Sequence, residues 1–145
     1  MTSGSVLNTR AAVECDLFDE KLFIDSVDHE FCLRIRKKGN YRILRLNDAL
    51  FAHSPGEVHF HRLFLSELRI THHPAERKYY MTRNRLYLIS RYYAFDPSTC
   101  VHELSGLLKS LISILLFENH KAEKLKATFR GVRDFIRGRY GKYEP

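Results

Sequence analysis

The chain has 145 residues, 44% hydrophobic and 28% charged, a globular balance that excludes a disordered or fibrous protein. A domain of this length can bury about two-thirds of its unfolded surface. Twenty-four basic against 17 acidic residues give a net charge of +7, which attracts an anionic partner: a nucleotide diphosphate, a lipid phosphate, an acidic membrane face or nucleic acid.

In chain order, residues 5–9 read as a short strand and 10–15 as one or two helical turns. Residues 28–38 carry apolar positions at Phe31, Leu33 and Ile35 among charges, and Gly39 stands where a helix commonly stops. Between 41 and 53 the alternation of Tyr41, Ile43, Leu44 and Leu46, then Ala49 and Phe51, predicts one or two strands joined at Asn47-Asp48. Beyond the loop at Ser54-Pro55-Gly56 the character changes, and 76–93, 101–119 and 121–139 read as helices, with Asp96 or Ser98 available as a cap before the second. The expectation is an α/β half over 1–73 followed by a helical extension over 74–145.

Cys15, Cys32 and Cys100 are odd in number and widely spaced, as reduced thiols in a cytoplasmic protein would be. Residues 1–10 lack the basic start and apolar run of a signal peptide. The longest apolar stretch, 107–117, is interrupted by Lys109, Ser110 and Ser113 and falls short of the roughly 20 residues that span a bilayer.

Three acids, Asp25, Asp28 and Glu30, fall within six positions at the mouth of the first long helix. Backbone held on both sides lets such an acid be presented to a pocket at small entropic cost, as a catalytic base must be. An acid at Asp28 is equally what a helix cap or first turn favours. Glu30 could act on Asp28 through like-charge proximity or stand as a solvated helix acid. Asp25 reads as structural.

The stretch Leu22-Phe23-Ile24-Asp25-Ser26-Val27-Asp28-His29-Glu30-Phe31-Cys32-Leu33-Arg34 resembles the acceptor-side motif of family 2 inverting glycosyltransferases, especially bacterial rhamnosyltransferases. Three further stretches are similar to that family in order and spacing: residues 4–10 with Phe18-Asp19-Glu20, residues 39–43 with Asp48-Ala49 and His53, and residues 77–85. The resemblance implies the carboxyl-terminal part of a GT-A, Rossmann-like enzyme. Asp28 would be the general base, Glu30 its companion in orienting the acceptor, Gly4 and Ser5 contacts to a sugar, and His53 a ligand to manganese or magnesium. The donor would be a nucleotide-sugar, and the acceptor a saccharide or lipid-linked saccharide of a bacterial surface polysaccharide.

The family's Asp-x-Asp metal motif occurs nowhere in the chain. The expectation is therefore a segment that lacks the nucleotide-binding half, binds no metal tightly by itself and self-associates through an open sheet edge formed by strands between Ser5 and His53.

Histidines at His59-Phe60-His61 and His72-His73 offer a rival zinc reading, but no cysteine or acid partners them at zinc-finger spacing, so loop or surface positions are expected. Arginines and tyrosines interleave over 77–93, a pattern of nucleic-acid or membrane-surface helices and equally of a helix packing its tyrosines on a core. Residues 121–142 form a basic amphipathic helix suited to the inner face of an anionic membrane or to simple solvation. The alternative to a transferase is thus a basic nucleic-acid- or membrane-surface-binding module without catalysis. The transferase reading assigns no nucleic-acid partner and places the protein in the cytoplasm, peripheral to the cell membrane.

Overall fold

The computed structural model describes residues 4–39, 41–47, 59–63, 66–70 and 73–143. Five helices account for most of them: α1 (Thr9–Glu14), α2 (Val27–Lys38), α3 (Ala75–Tyr92), α4 (Pro97–Leu116) and α5 (Lys121–Ile136). A single 3-10 turn (Glu20–Leu22) precedes α2, and an antiparallel hairpin, β1 (His59–Leu63) with β2 (Ser66–Ile70), precedes α3.

Local chemistry sets the ends. The Asn8 side chain accepts from Ala11 N at 3.2 Å to open α1, and Asp19 does the same for the 3-10 turn from Lys21 N. Gly39 closes α2 in the left-handed region at φ +76°. Asp96 accepts from Thr99 N at 3.1 Å with Pro97 in the first turn, so α4 starts four residues earlier than its apolar run suggests.

The α/β, Rossmann-like expectation is overturned. Among the described residues the hairpin is the whole of the sheet, and neither 5–9 nor 41–47 forms a strand. Alternation along 41–46 states a period and supplies no neighbour to pair with; Ile43, Leu44 and Leu46 stay exposed, and Val6 is 98% exposed. Leu7 and Tyr41 instead pack on a small cluster of Ala12, Cys15, Phe31 and Ile35 between α1 and α2. The open edge through which self-association was expected is accordingly not present among the described residues of that stretch, and 48–58 lie outside them.

The helical extension forms the main body. Helix α4 runs antiparallel to α3, as Lys78 meets Ser110, Arg85 meets Glu103 and Cys100 meets Ile89. Leu33 of α2 joins Leu88 and Tyr92 of α3 and Cys100 of α4 in a second cluster, so the acid-bearing helix is seated on the α3/α4 pair. Helix α5 lies against the first half of α3, with Ala127 on Tyr79 and Tyr80.

The α3/α5 approach is close enough to require glycine at one point. A Cβ on Gly131 would stand 2.7 Å from the Tyr79 carbonyl oxygen and 3.1 Å from the Thr82 Cβ, and the first of these is backbone that cannot swing aside. Gly131→Ala should therefore destabilise the fold by about 1–2 kcal/mol, an overpacking cost only partly offset by better helix propensity. Urea unfolding of the two proteins checks this.

Candidate active-site recess

The acid motif is held in an unusual backbone path. Phe23 (φ 62°, ψ −63°), with Ile24 N bonded to Leu22 O at 2.7 Å, forms a γ-turn, and Asp25 and Ser26 follow at φ 61° and 62°. Left-handed non-glycine residues cost about 1–3 kcal/mol each and persist only where their surroundings dictate them. Here the surroundings are two adjacent residues of α3. Asn84 Nδ2 donates to the carbonyls of Leu22, Ile24 and Asp25 at 2.9, 2.7 and 2.9 Å. The fully buried Arg83 spends its five N–H groups on the carbonyls of Lys21, Leu22 and Gly141, the Tyr79 hydroxyl and the Asn84 side-chain oxygen.

So held, the loop and the first turn of α2 border an open recess of about 230 Å³ lined by Asp25, Ser26, Asp28, His29, Met81, Arg85 and Glu103. Asp28 is half-buried, and its Oδ1 accepts from the backbone N–H of His29 at 3.0 Å. Asp25 is engaged edge-on by Arg77, with Nε and Nη2 each 3.1 Å from one carboxylate oxygen. Across the recess the buried Glu103 of α4 takes His29 Nδ1 at 3.0 Å on one oxygen and Arg85 Nε at 3.2 Å on the other.

Those contacts set the protonation pattern. The hydrogen bond to Glu103 raises the His29 pKa above its ordinary value, partial burial opposing and the Asp28 charge adding. The hydrogen bond from His29 in turn lowers the Glu103 pKa against the effect of burial, with Arg85 assisting. Carboxylates, a hydroxyl, an imidazole and a guanidinium, with Met81 among them, provide acceptors and donors for sugar hydroxyls and an apolar contact for a ring face.

The other sequence-derived candidates fall elsewhere. Glu30 turns into the interior, where Tyr92 Oη donates at 2.6 Å and Arg34 Nε and Nη2 at 3.1 and 2.9 Å, and it is not among the recess residues. Its partner Tyr92 is pushed up to about 12, by burial first and by Glu30 second. Gly4 and Ser5 are exposed and line no part of the recess. His53 and His72 lie outside the described residues, so the meeting of His53 with Asp28 does too. His73 is half-buried, its pKa lowered by burial and by Arg77 and Lys78. Among the described residues no three His, Cys, Asp or Glu side chains gather as a divalent ion would need, and His53, the ligand that the resemblance implies, lies outside them.

The interleaved helix α3 packs inward as a core helix does, with Tyr79, Tyr80 and Tyr92 buried. Sequence reading took Asn84 and Arg85 into the resemblance over 77–85 without giving either a role at the site, and passed over Glu103. An asparagine in mid-helix and a lone acid in the apolar run 97–116 were the available signals, since both residue types are disfavoured there unless a buried partner engages them.

The chain is 28% identical over 140 residues to the dTDP-rhamnosyl transferase RfbF of Shigella flexneri. It resembles a rhamnosyltransferase. The match takes in 95% of this chain and 45% of that protein, so the chain spans about half the length of this curated relative. No protein-family model matches the chain, and no solved structure matches it.

Two outcomes test the geometry. Asn84→Ala takes the Asn84 donor from the Ile24 and Asp25 carbonyls, while Leu22 keeps Arg83 and Ile24 N, and should cost about 2–4 kcal/mol for the unsatisfied carbonyls, seen as a lower urea midpoint. Glu103→Gln should bring the His29 pKa down toward the ordinary histidine value in an NMR titration. For the wild type the sign follows from both shifts: the raised His29 pKa adds stability that is lost as pH rises through it, and the lowered Glu103 pKa adds stability that is lost as pH falls through it. The pair therefore contributes most between the two, and Glu103→Gln should flatten that part of the pH–stability curve.

Proposed function

We propose that the chain is the acceptor-side part of a glycosyltransferase of rhamnosyltransferase type, with Asp28 as the general base. The similarity to RfbF over nearly the whole chain carries this reading, and the recess at Asp28 supports it. The acceptor hydroxyl enters beside Asp28. Its proton passes to the carboxylate as its oxygen bonds to the anomeric carbon of the donor sugar. The bond from that carbon to the diphosphate oxygen breaks on the opposite face, and the nucleoside diphosphate departs with the electron pair. Transfer with inversion, a dTDP-sugar donor and a saccharide or lipid-linked acceptor of a bacterial surface polysaccharide belong to the same proposal.

The remaining recess residues have defined tasks on this reading. Arg77 holds Asp25 in a two-point ion pair, which commits that carboxylate to a structural contact. Glu103 fixes His29 and Arg85 opposite it, where they donate to acceptor oxygens. Cytoplasmic placement is also part of the proposal, because nucleotide-sugars are made there.

In a form of the protein that carries the nucleotide-binding portion, Asp28→Asn should lower kcat by about 10²–10⁴-fold, the usual worth of a general base, with donor KM little changed. Transfer from dTDP-rhamnose to a saccharide acceptor provides the assay. Turnover at the wild-type rate would reassign Asp28 to the cap role that its place in the first turn of α2 also fits.

A further inference from the structure

Helix α4 is built inside out. Val101, Leu104, Leu108, Ile112, Leu115 and Leu116 are each between 48% and 61% exposed. At about 100° per residue all six fall within about 60° of one line, which makes a continuous apolar stripe about 22 Å long at 1.5 Å per residue. Two polar side chains that such a helix would ordinarily turn to water face inward: Glu103 is buried against His29 and Arg85, and Ser110 accepts from Lys78.

Charge is segregated in the same sense. Glu103 is the one acid in α4, and Glu118, just beyond its end, is buried between Lys78 and Lys124. Two exposed cations stand beside the stripe: Lys109 on α4, and Lys121, whose Nζ lies 2.7 Å from the Leu115 carbonyl at the stripe's end. The chain as a whole carries +7.

By length and composition α4 could cross a bilayer, but its other face is committed to α3 through the Glu103–Arg85 pair and the Leu33, Leu88, Tyr92 and Cys100 cluster. A helix so anchored can only lie along an interface. A second copy set against the stripe would bring like charge to like charge, whereas an anionic lipid surface takes the apolar stripe into its acyl boundary and the flanking cations against its phosphates.

We propose that the exposed face of α4 is a membrane-docking surface that lies in the plane of an anionic bilayer, with Leu108 and Ile112 at its centre. The proposal is independent of any role for Asp28. Since α4 also carries Glu103, docking would set the recess at a fixed height over the lipid surface, within reach of a headgroup-linked saccharide.

The 145-residue chain should co-sediment with vesicles of phosphatidylcholine containing phosphatidylglycerol, and about tenfold or more less with phosphatidylcholine alone, as expected where apolar insertion and headgroup attraction act together. Leu108→Glu and Ile112→Glu alter exposed side chains, so circular dichroism and the unfolding midpoint should stay at wild-type values while anionic-vesicle binding falls about tenfold or more. Absence of binding to either vesicle overturns the proposal. So does binding that raised salt abolishes but the two variants leave unchanged, which would be adsorption by charge alone. Sedimentation equilibrium at tens of micromolar showing a dimer that Leu108→Glu dissolves, without vesicle binding, would assign the stripe to a second copy and equally overturn it.

Discussion

The contact between Arg83-Asn84 and the carbonyls of Lys21, Leu22, Ile24 and Asp25 is the constraint on which the candidate site depends. Carbonyls aimed inward by a γ-turn and two left-handed residues would be stranded without donors, and a guanidinium and a carboxamide on one turn of α3 supply them. The guanidinium is itself buried among Tyr79, Tyr80 and Tyr140, each ring centroid 5.2–5.4 Å away, so its charge is met by ring faces as well as by carbonyl dipoles. The order of cause runs from α3 to the loop, and from the loop to the position of Asp28.

A second buried network ties α3, α4 and α5 together. Glu118 receives Lys78 and Lys124 at 2.7 Å on its two oxygens and Ser113 at 2.8 Å. Burial pushes its carboxyl up, but the hydrogen bonds from Lys124, Lys78 and Ser113 outweigh that and hold it at about 2. Burial likewise lowers Lys78 while Glu118 opposes the shift. Removing one member would strand the others, which is the usual reason that buried ion pairs resist single substitution. The network specifies how α3, α4 and α5 meet at one end, and the Glu103 cluster does so toward the other.

What was legible in the sequence follows from range. The four long helices could be read because period, caps and breakers are local: Gly39, Pro74, Asp96-Pro97 and the run after Lys121 all punctuate where the structure does. The strands of 5–9 and 41–47 could not be secured, since pairing is a property of two segments. Asp28 was found through its motif and lines the recess. Glu30 shared that motif, yet its i,i+4 spacing to Arg34 already indicated the helix-face pair that draws it inward. Glu103 stood out as a lone acid in an apolar run, but its partner was out of reach because His29 lies 74 residues away.

The left-handed path from Phe23 to Ser26 also has a temporal consequence. None of its residues is glycine, so the path is not one the isolated segment prefers, and its donors on Asn84 lie 59–62 residues downstream. During synthesis at about 5–20 residues per second, the loop leaves the ribosome roughly 3–12 s before α3 exists to shape it. The backbone path that presents the acid motif is therefore set late, once α3 is there to supply its donors.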